Sequence, residues 1–159
     1  MKKIIIAVVI MTTAIMQTGL AQDTTTQSQF PQLLNSYYEI KDALVAGNAG
    51  SAALNAVTFV KIANDISSKN LFEDNPKILL KDAAVISETT DIKTQRERFA
   101  ALSSNMIAMA EKIKLTSETV YMDYCPMKKA YWLSSEKDIK NPYYGSAMLT
   151  CGSVKDTLK

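Results

Sequence analysis

Apolar residues recurring at alternating three- and four-residue steps constrain this chain more than any other feature of its sequence. Phe30, Leu33, Tyr37, Ile40 and Leu44 follow that spacing, the core stripe of an amphipathic helix. Gly47-Asn48 and Gly50 then end the helix and turn the chain. Ser51 suits the N-cap of a second helix, in which Ala53, Ala56, Val57, Val60 and Ala63, with Phe59, Ile62 and Ile66, form a stripe wide enough for burial on two sides. Asn70 to Asn75 reads as a loop, and Asn75-Pro76 as an N-cap followed by proline at the first helical position. The third helix is expected over Pro76 to Glu88, with Leu79, Ala83 and Ile86 inward. Asp91 caps a fourth, to about Lys112, whose Ile92, Phe99, Leu102, Met106, Met109 and Ile113 hold a near-heptad stripe. Met106 and Met109 fall at core spacing and read as packing. Four helices with short connections predict an all-α fold, an antiparallel four-helix bundle.

The N-terminus carries an export pattern. Met1-Lys2-Lys3 is a short positive region, Ile4 to Ile10 an unbroken apolar run, and Gly19-Leu20-Ala21 places small residues where signal peptidase cuts. The run is too short, and too diluted by Thr12, Thr13 and Gln17, to span a membrane. Residues 1–21 therefore read as a cleaved signal peptide, with no stable membrane anchor afterwards and a periplasmic destination. Gln22 to Gln29 is polar and without periodicity, and is expected to be a disordered leader. Loss of Lys2 and Lys3 leaves 16 basic against 16 acidic residues. A neutral chain does not offer the clustered basic surface that nucleic acid requires. Residues 30–159 make one domain.

After Lys114 the texture changes. Val120-Tyr121-Met122-Asp123-Tyr124 and Tyr131-Trp132-Leu133 are rich in β-formers, and Cys125 to Ala130 between them suits a hairpin loop. Asn141-Pro142-Tyr143-Tyr144-Gly145 is a turn signature with two rings placed to pack on the helices. Ser146 to Cys151 suits one or two helical turns stopped by Gly152. Residues 116–159 are thus expected to form an irregular C-terminal cap, with room for a short β-hairpin. Trp132, Tyr143 and Tyr144 read as its core, and Asn141, Pro142 and Gly145 as its turn geometry. Asp123, Glu136 and Asp138 lack the spacing of a paired-carboxylate mechanism and read as solvated surface.

The cap also holds both cysteines, each with a methionine close in sequence: Cys125-Pro126-Met127 and Met148-Leu149-Thr150-Cys151. In an extended segment residues two apart project to one side, and in a helical turn residues three apart share a face. Folding back at Asn141-Pro142 would let the two claws meet. Two thiolates with one or two thioethers suit Cu(I) or Ag(I), whereas zinc prefers a full set of Cys, His or carboxylate ligands. Lys128 and Lys129 beside Cys125 would favour its thiolate. The competing reading is a disulfide, the ordinary fate of two cysteines in an oxidising compartment. A Cys125–Cys151 bridge closes a loop of ~27 residues, a constraint of roughly 3–4 kcal/mol in the chain-entropy model. An oxidised pair offers no thiolates, so the two readings exclude each other at any moment. Catalysis is not expected: the chain has no histidine to act as a base or to activate a cysteine, and no Gly-rich phosphate loop.

The tail stretches Tyr124-Cys125-Pro126-Met127, Trp132-Leu133-Ser134, Ile139 to Gly145 and Met148 to Val154, with Tyr37 to Val45 near the N-terminus, resemble domain-of-unknown-function family 3347. The resemblance spans about Phe30 to Leu158 and is most specific in the tail. Members of that family are small exported bacterial proteins or C-terminal extensions of periplasmic adaptors in copper/silver efflux systems. The resemblance implies handling of heavy metal in the periplasm, with components of an efflux system as partners. It places Cys125, Met127, Met148 and Cys151 at the motif's sulfur positions. The chain departs from the adaptor arrangement in being expected to stand alone, with no adaptor hairpin or barrel before it.

Overall fold

The computed structural model describes residues 21–68, 76–112 and 119–158. Four helices come first: α1 over Ala21–Val45, α2 over Ala49–Ser68, α3 over Pro76–Glu88 and α4 over Ile92–Lys112. A small antiparallel sheet follows, with β1 over Val120–Cys125, β2 over Ala130–Ser134 and β3 over Ser153–Leu158, in the order β2-β1-β3. One turn of 3₁₀ helix, Gly145–Met148, lies between β2 and β3. The all-α expectation is therefore corrected. The anticipated hairpin is present, and a third strand pairs with its other edge. The signal-peptide segment lies outside the described residues except for Ala21, as does the loop from Asn70 to Asn75 with its expected cap.

The stripes of α1 and α3 and most of that of α4 bury as the periodicity predicts, but the buried face of α2 is rotated from the expected one: Val57 is 56% exposed, Ala53 and Val60 are half-buried, and α2 is not covered on two sides. Phe30, Leu33, Tyr37, Ile40 and Leu44 of α1 share one core with Ala52, Ala56, Phe59, Ala63 and Ile66 of α2, Leu79, Ala83 and Ile86 of α3, and Phe99, Leu102 and Met106 of α4. Two boundaries differ from the sequence reading. Gln22 to Gln29, expected as a disordered leader, lie within α1, which also runs through Pro31. The cap of α2 is Asn48 rather than Ser51: its Oδ1 accepts the Ser51 N–H at 2.9 Å. Asn48 also closes α1, since its own N–H reaches the Ala43 carbonyl at 2.9 Å while Gly47 turns through φ 71°. One residue thus ends one helix and starts the next, leaving only Ala46–Asn48 between them. Asp91 caps α4 as expected, its Oδ2 accepting the Thr94 N–H at 3.0 Å.

Three polar side chains tie the helices to one another and to the sheet. The buried Gln95 Nε2 donates to the carbonyls of Ala49 at 2.9 Å and Thr89 at 2.7 Å, binding the start of α4 to the start of α2 and the end of α3. Arg96 Nη2 donates to the Leu44 carbonyl at 2.9 Å, placing a cation at the C-terminal end of the α1 dipole. The Tyr37 hydroxyl shares a 2.7 Å hydrogen bond with Ser103 and accepts the Leu133 N–H at 3.1 Å, so one phenol joins α1, α4 and β2.

Candidate functional site

The β1–β2 pairing sets the site. Cys125 is opposite Ala130 and Asp123 opposite Trp132, with a four-residue loop, 126–129, between the strands. The Lys129 N–H closes the loop on the Cys125 carbonyl at 2.8 Å, which requires Lys129 to adopt φ 55°. The same turn aims the Lys128 N–H at Cys125 Sγ, 3.4 Å away. On the other side of β1, Tyr124 pairs with Ser153, which brings the chain just before β3 alongside Cys125.

That chain segment passes very close to β2. A Cβ on Gly152 would lie 2.8 Å from Cη2 of Trp132 and 3.0 Å from the Tyr124 carbonyl oxygen. Asn141, fully buried, holds the segment from the other side. Its Nδ2 donates to the Cys151 carbonyl at 2.6 Å, its Oδ1 accepts the Tyr143 N–H at 2.8 Å, and its own N–H donates to the Leu149 carbonyl at 2.8 Å. The Cys151 N–H in turn reaches the Met148 carbonyl at 3.1 Å. Gly145 lets the preceding turn approach α1: at φ 55°, its Cβ position lies 2.5 Å from Arg96 Nη2 and 2.9 Å from the Val45 carbonyl oxygen.

The result is that the two cysteines meet. Both are free thiols, Cys125 buried and Cys151 partly exposed. Desolvation and contact with Cys125 push the Cys151 thiol above its ordinary range. The methionines behave differently. Met127, at the hairpin tip, is 62% exposed, and Met148, at the end of the 3₁₀ turn, is 40% exposed. The fold therefore brings together the thiols of the expected four-sulfur set and keeps both thioethers at the surface that flanks them. Among the described residues no group of three or more His, Cys, Asp or Glu gathers as a metal cluster.

The remaining cap residues pack against one another and against the helices. Trp132 and Tyr143 are buried and meet edge to face at 5.8 Å, and Tyr143 contacts Phe99 at 6.1 Å. The Tyr143 hydroxyl donates to the Tyr131 carbonyl, and Tyr144 packs partly buried against the core. Pro142 is buried within the turn that Asn141 opens.

Asp123 overturns its reading as solvated surface, whereas Glu136 and Asp138 are exposed as expected. Asp123 is fully buried, and neither carboxylate oxygen has a hydrogen-bond partner. Opposite it, the Trp132 Nε1–H is likewise buried without one. Burial pushes the Asp123 carboxyl up to about 6, partly countered by the positive charge of Lys41. Lys41, itself buried on α1, holds Asp42 at 3.0 Å. Ordinary alternation along β1, whose register with β2 is unbroken, puts Asp123 and Cys125 on the same inward face, while the bulge in the β1–β3 pairing leaves Lys155 of β3 unpaired.

A family model described as "Protein of unknown function (DUF3347)" matches residues 33–118. The matched stretch begins within α1 and ends before β1, so it covers the helices rather than the tail motif on which the resemblance is most specific. No curated protein and no solved structure matches the chain.

Proposed function

We propose that this chain, which belongs to the DUF3347 family of proteins of unknown function, is an exported, non-enzymatic module that takes up Cu(I) or Ag(I) at its cysteine pair. Its role in this reading is to sequester the metal in the periplasm or deliver it to components of an efflux system. One observation carries the proposal: two thiols from distant parts of the chain meet, one buried with a backbone N–H on its sulfur, the other open to an incoming ion. Soft monovalent ions accept two thiolates as a sufficient donor pair, and thioethers complete the set where they are within reach. Met127 and Met148, exposed on the two segments that carry the cysteines, are the neutral donors of this reading. The four helices serve as an antiparallel bundle on which the cap is mounted. The chain contains no histidine, which supports a role without acid–base catalysis. Uptake displaces thiol protons, so affinity rises with pH until both thiols ionise.

Titration of the reduced protein with Cu(I) against a competing chelator tests the proposal. Binding should vanish in Cys125→Ser/Cys151→Ser and weaken in Met127→Leu/Met148→Leu. Unchanged affinity in the double-cysteine variant would remove these ligands from consideration. The adjacency of the thiols also favours a second reading, a disulfide that fastens β1 to the segment before β3 and leaves the domain a structural or interaction module. Intact mass of protein taken from the periplasm separates the two, since a bridge lowers it by about two hydrogens.

A further inference from the structure

We infer that Asn141 is a positioning residue for the thiol pair, fixing Cys151 against Cys125 and so setting the effective concentration of one sulfur at the other. The inference rests on the reading of the pair as the functional centre. Cys151 belongs to a segment without regular structure, the kind of chain that ordinarily samples many conformations. Here its backbone is held at both ends of the residue. The N–H is bound to Met148 and the carbonyl to the side chain of Asn141, at 2.6 Å. The carboxamide is fixed in turn by the Tyr143 N–H on Oδ1, and the Asn141 backbone adds bonds to the Leu149 carbonyl and from the Gly145 N–H. Every polar group of Asn141 is therefore used. Two of the four bonds, to the carbonyls of Leu149 and Cys151, tie the turn after β2 to the segment that ends at Cys151, and the other two hold the turn itself. Gly152, the next residue, is pressed against Trp132 and Tyr124, so Cys151 cannot move toward β2 to compensate for a lost bond. Orienting groups of this kind behind a ligand typically change affinity by 10–100-fold, because two donors held in register lose less freedom when they close on an ion or on each other.

Asn141→Asp separates positioning from folding. A carboxylate can still accept the Tyr143 N–H, keeping the turn, but presents an oxygen instead of an N–H to the Cys151 carbonyl. Asn141→Ser is the second variant, with a hydroxyl able to hold the turn and too short to span to Cys151. The measurement is the equilibrium of the pair with the glutathione couple. In it two protein thiols give their hydrogens to oxidised glutathione, forming the protein disulfide and two reduced glutathione molecules. The ratio reports effective thiol concentration directly and needs no metal. Thermal unfolding followed by Trp132 fluorescence reports global stability on the same samples.

The expected result is at least a tenfold fall in effective concentration in both variants, with a parallel fall in Cu(I) affinity. A melting temperature that drops while the glutathione equilibrium stays at its original value would overturn the inference, leaving Asn141 a structural residue only. A shifted glutathione equilibrium in a protein that never binds Cu(I) would support the positioning role while refuting metal uptake. Normal Cu(I) binding with an unshifted equilibrium would do the reverse.

Discussion

Replacing Asp123 by Asn should make the protein more stable at neutral pH and leave it nearly unchanged in acid. In the folded protein the carboxyl is fully buried, has no hydrogen-bond partner and titrates near 6, against 3.8 for an unperturbed aspartate. A group whose folded value is raised binds its proton more tightly when folded. Its most favourable contribution is therefore present below the unfolded value, near pH 4, and is lost as pH rises through about 6. The gap between the two values corresponds to about 3 kcal/mol, at 1.36 kcal/mol for each tenfold change in proton affinity. Lys41 already offsets part of the cost of ionisation and is included in the folded value. Asn has the shape of the protonated acid and no charge, so it removes the pH-dependent part alone. Urea unfolding should be followed by fluorescence of Trp132, the only tryptophan, which lies directly opposite the substituted residue. The variant should match the parent at pH 4 and exceed it by about 2–3 kcal/mol at pH 7.5. Carboxylates elsewhere, such as the exposed Asp91 and Glu136, titrate in both proteins and cancel in the difference. Parallel stability profiles from pH 4 to 7.5 would show that Asp123 is not held in an apolar environment and would refute the reasoning.

Tyr37→Phe keeps the stacking with Phe99 but strips the Leu133 N–H and the Ser103 hydroxyl of their shared partner inside the core. A loss of about 1–3 kcal/mol is expected in chemical unfolding, with faster hydrogen exchange at the Leu133 amide. Gly152→Ala puts a methyl group 2.8 Å from a rigid indole and 3.0 Å from a backbone carbonyl. It should cost about 2–3 kcal/mol and blue- or red-shift Trp132 emission, whereas an alanine at Gly47, where a Cβ meets nothing within 4 Å, pays only for its left-handed backbone.

The helical part of the fold was legible because its signals are local. The three-and-four spacing of Phe30 to Leu44 and the Asp91 cap each specify a helix from residues within one or two turns. The hairpin was legible for the same reason, as the β-formers on either side of Cys125 to Ala130 are near in sequence. The third strand was not. Ser153 to Leu158 is exposed along nearly its whole length, so it carries no apolar alternation, and it forms because β1 offers it a free edge. The early start of α1 and the double use of Asn48 were missed on weaker local grounds, a polar stretch and a neighbouring serine equally able to cap.

Among the candidate site residues, the chain by itself determined which donor types exist and near which turns they lie: two thiols, flanking thioethers, an Asn-Pro turn and no imidazole. Tertiary structure decided that the thiols meet while the thioethers stay in water, that Asp123 is inside rather than outside, and that Lys41 is buried near it. The physical reason is one of range. Helix stripes and caps are written in steps of three or four residues. Strand register, a single bulge and the approach of Gly152 to Trp132 instead depend on partners tens of residues away, whose pairing only the folded chain supplies.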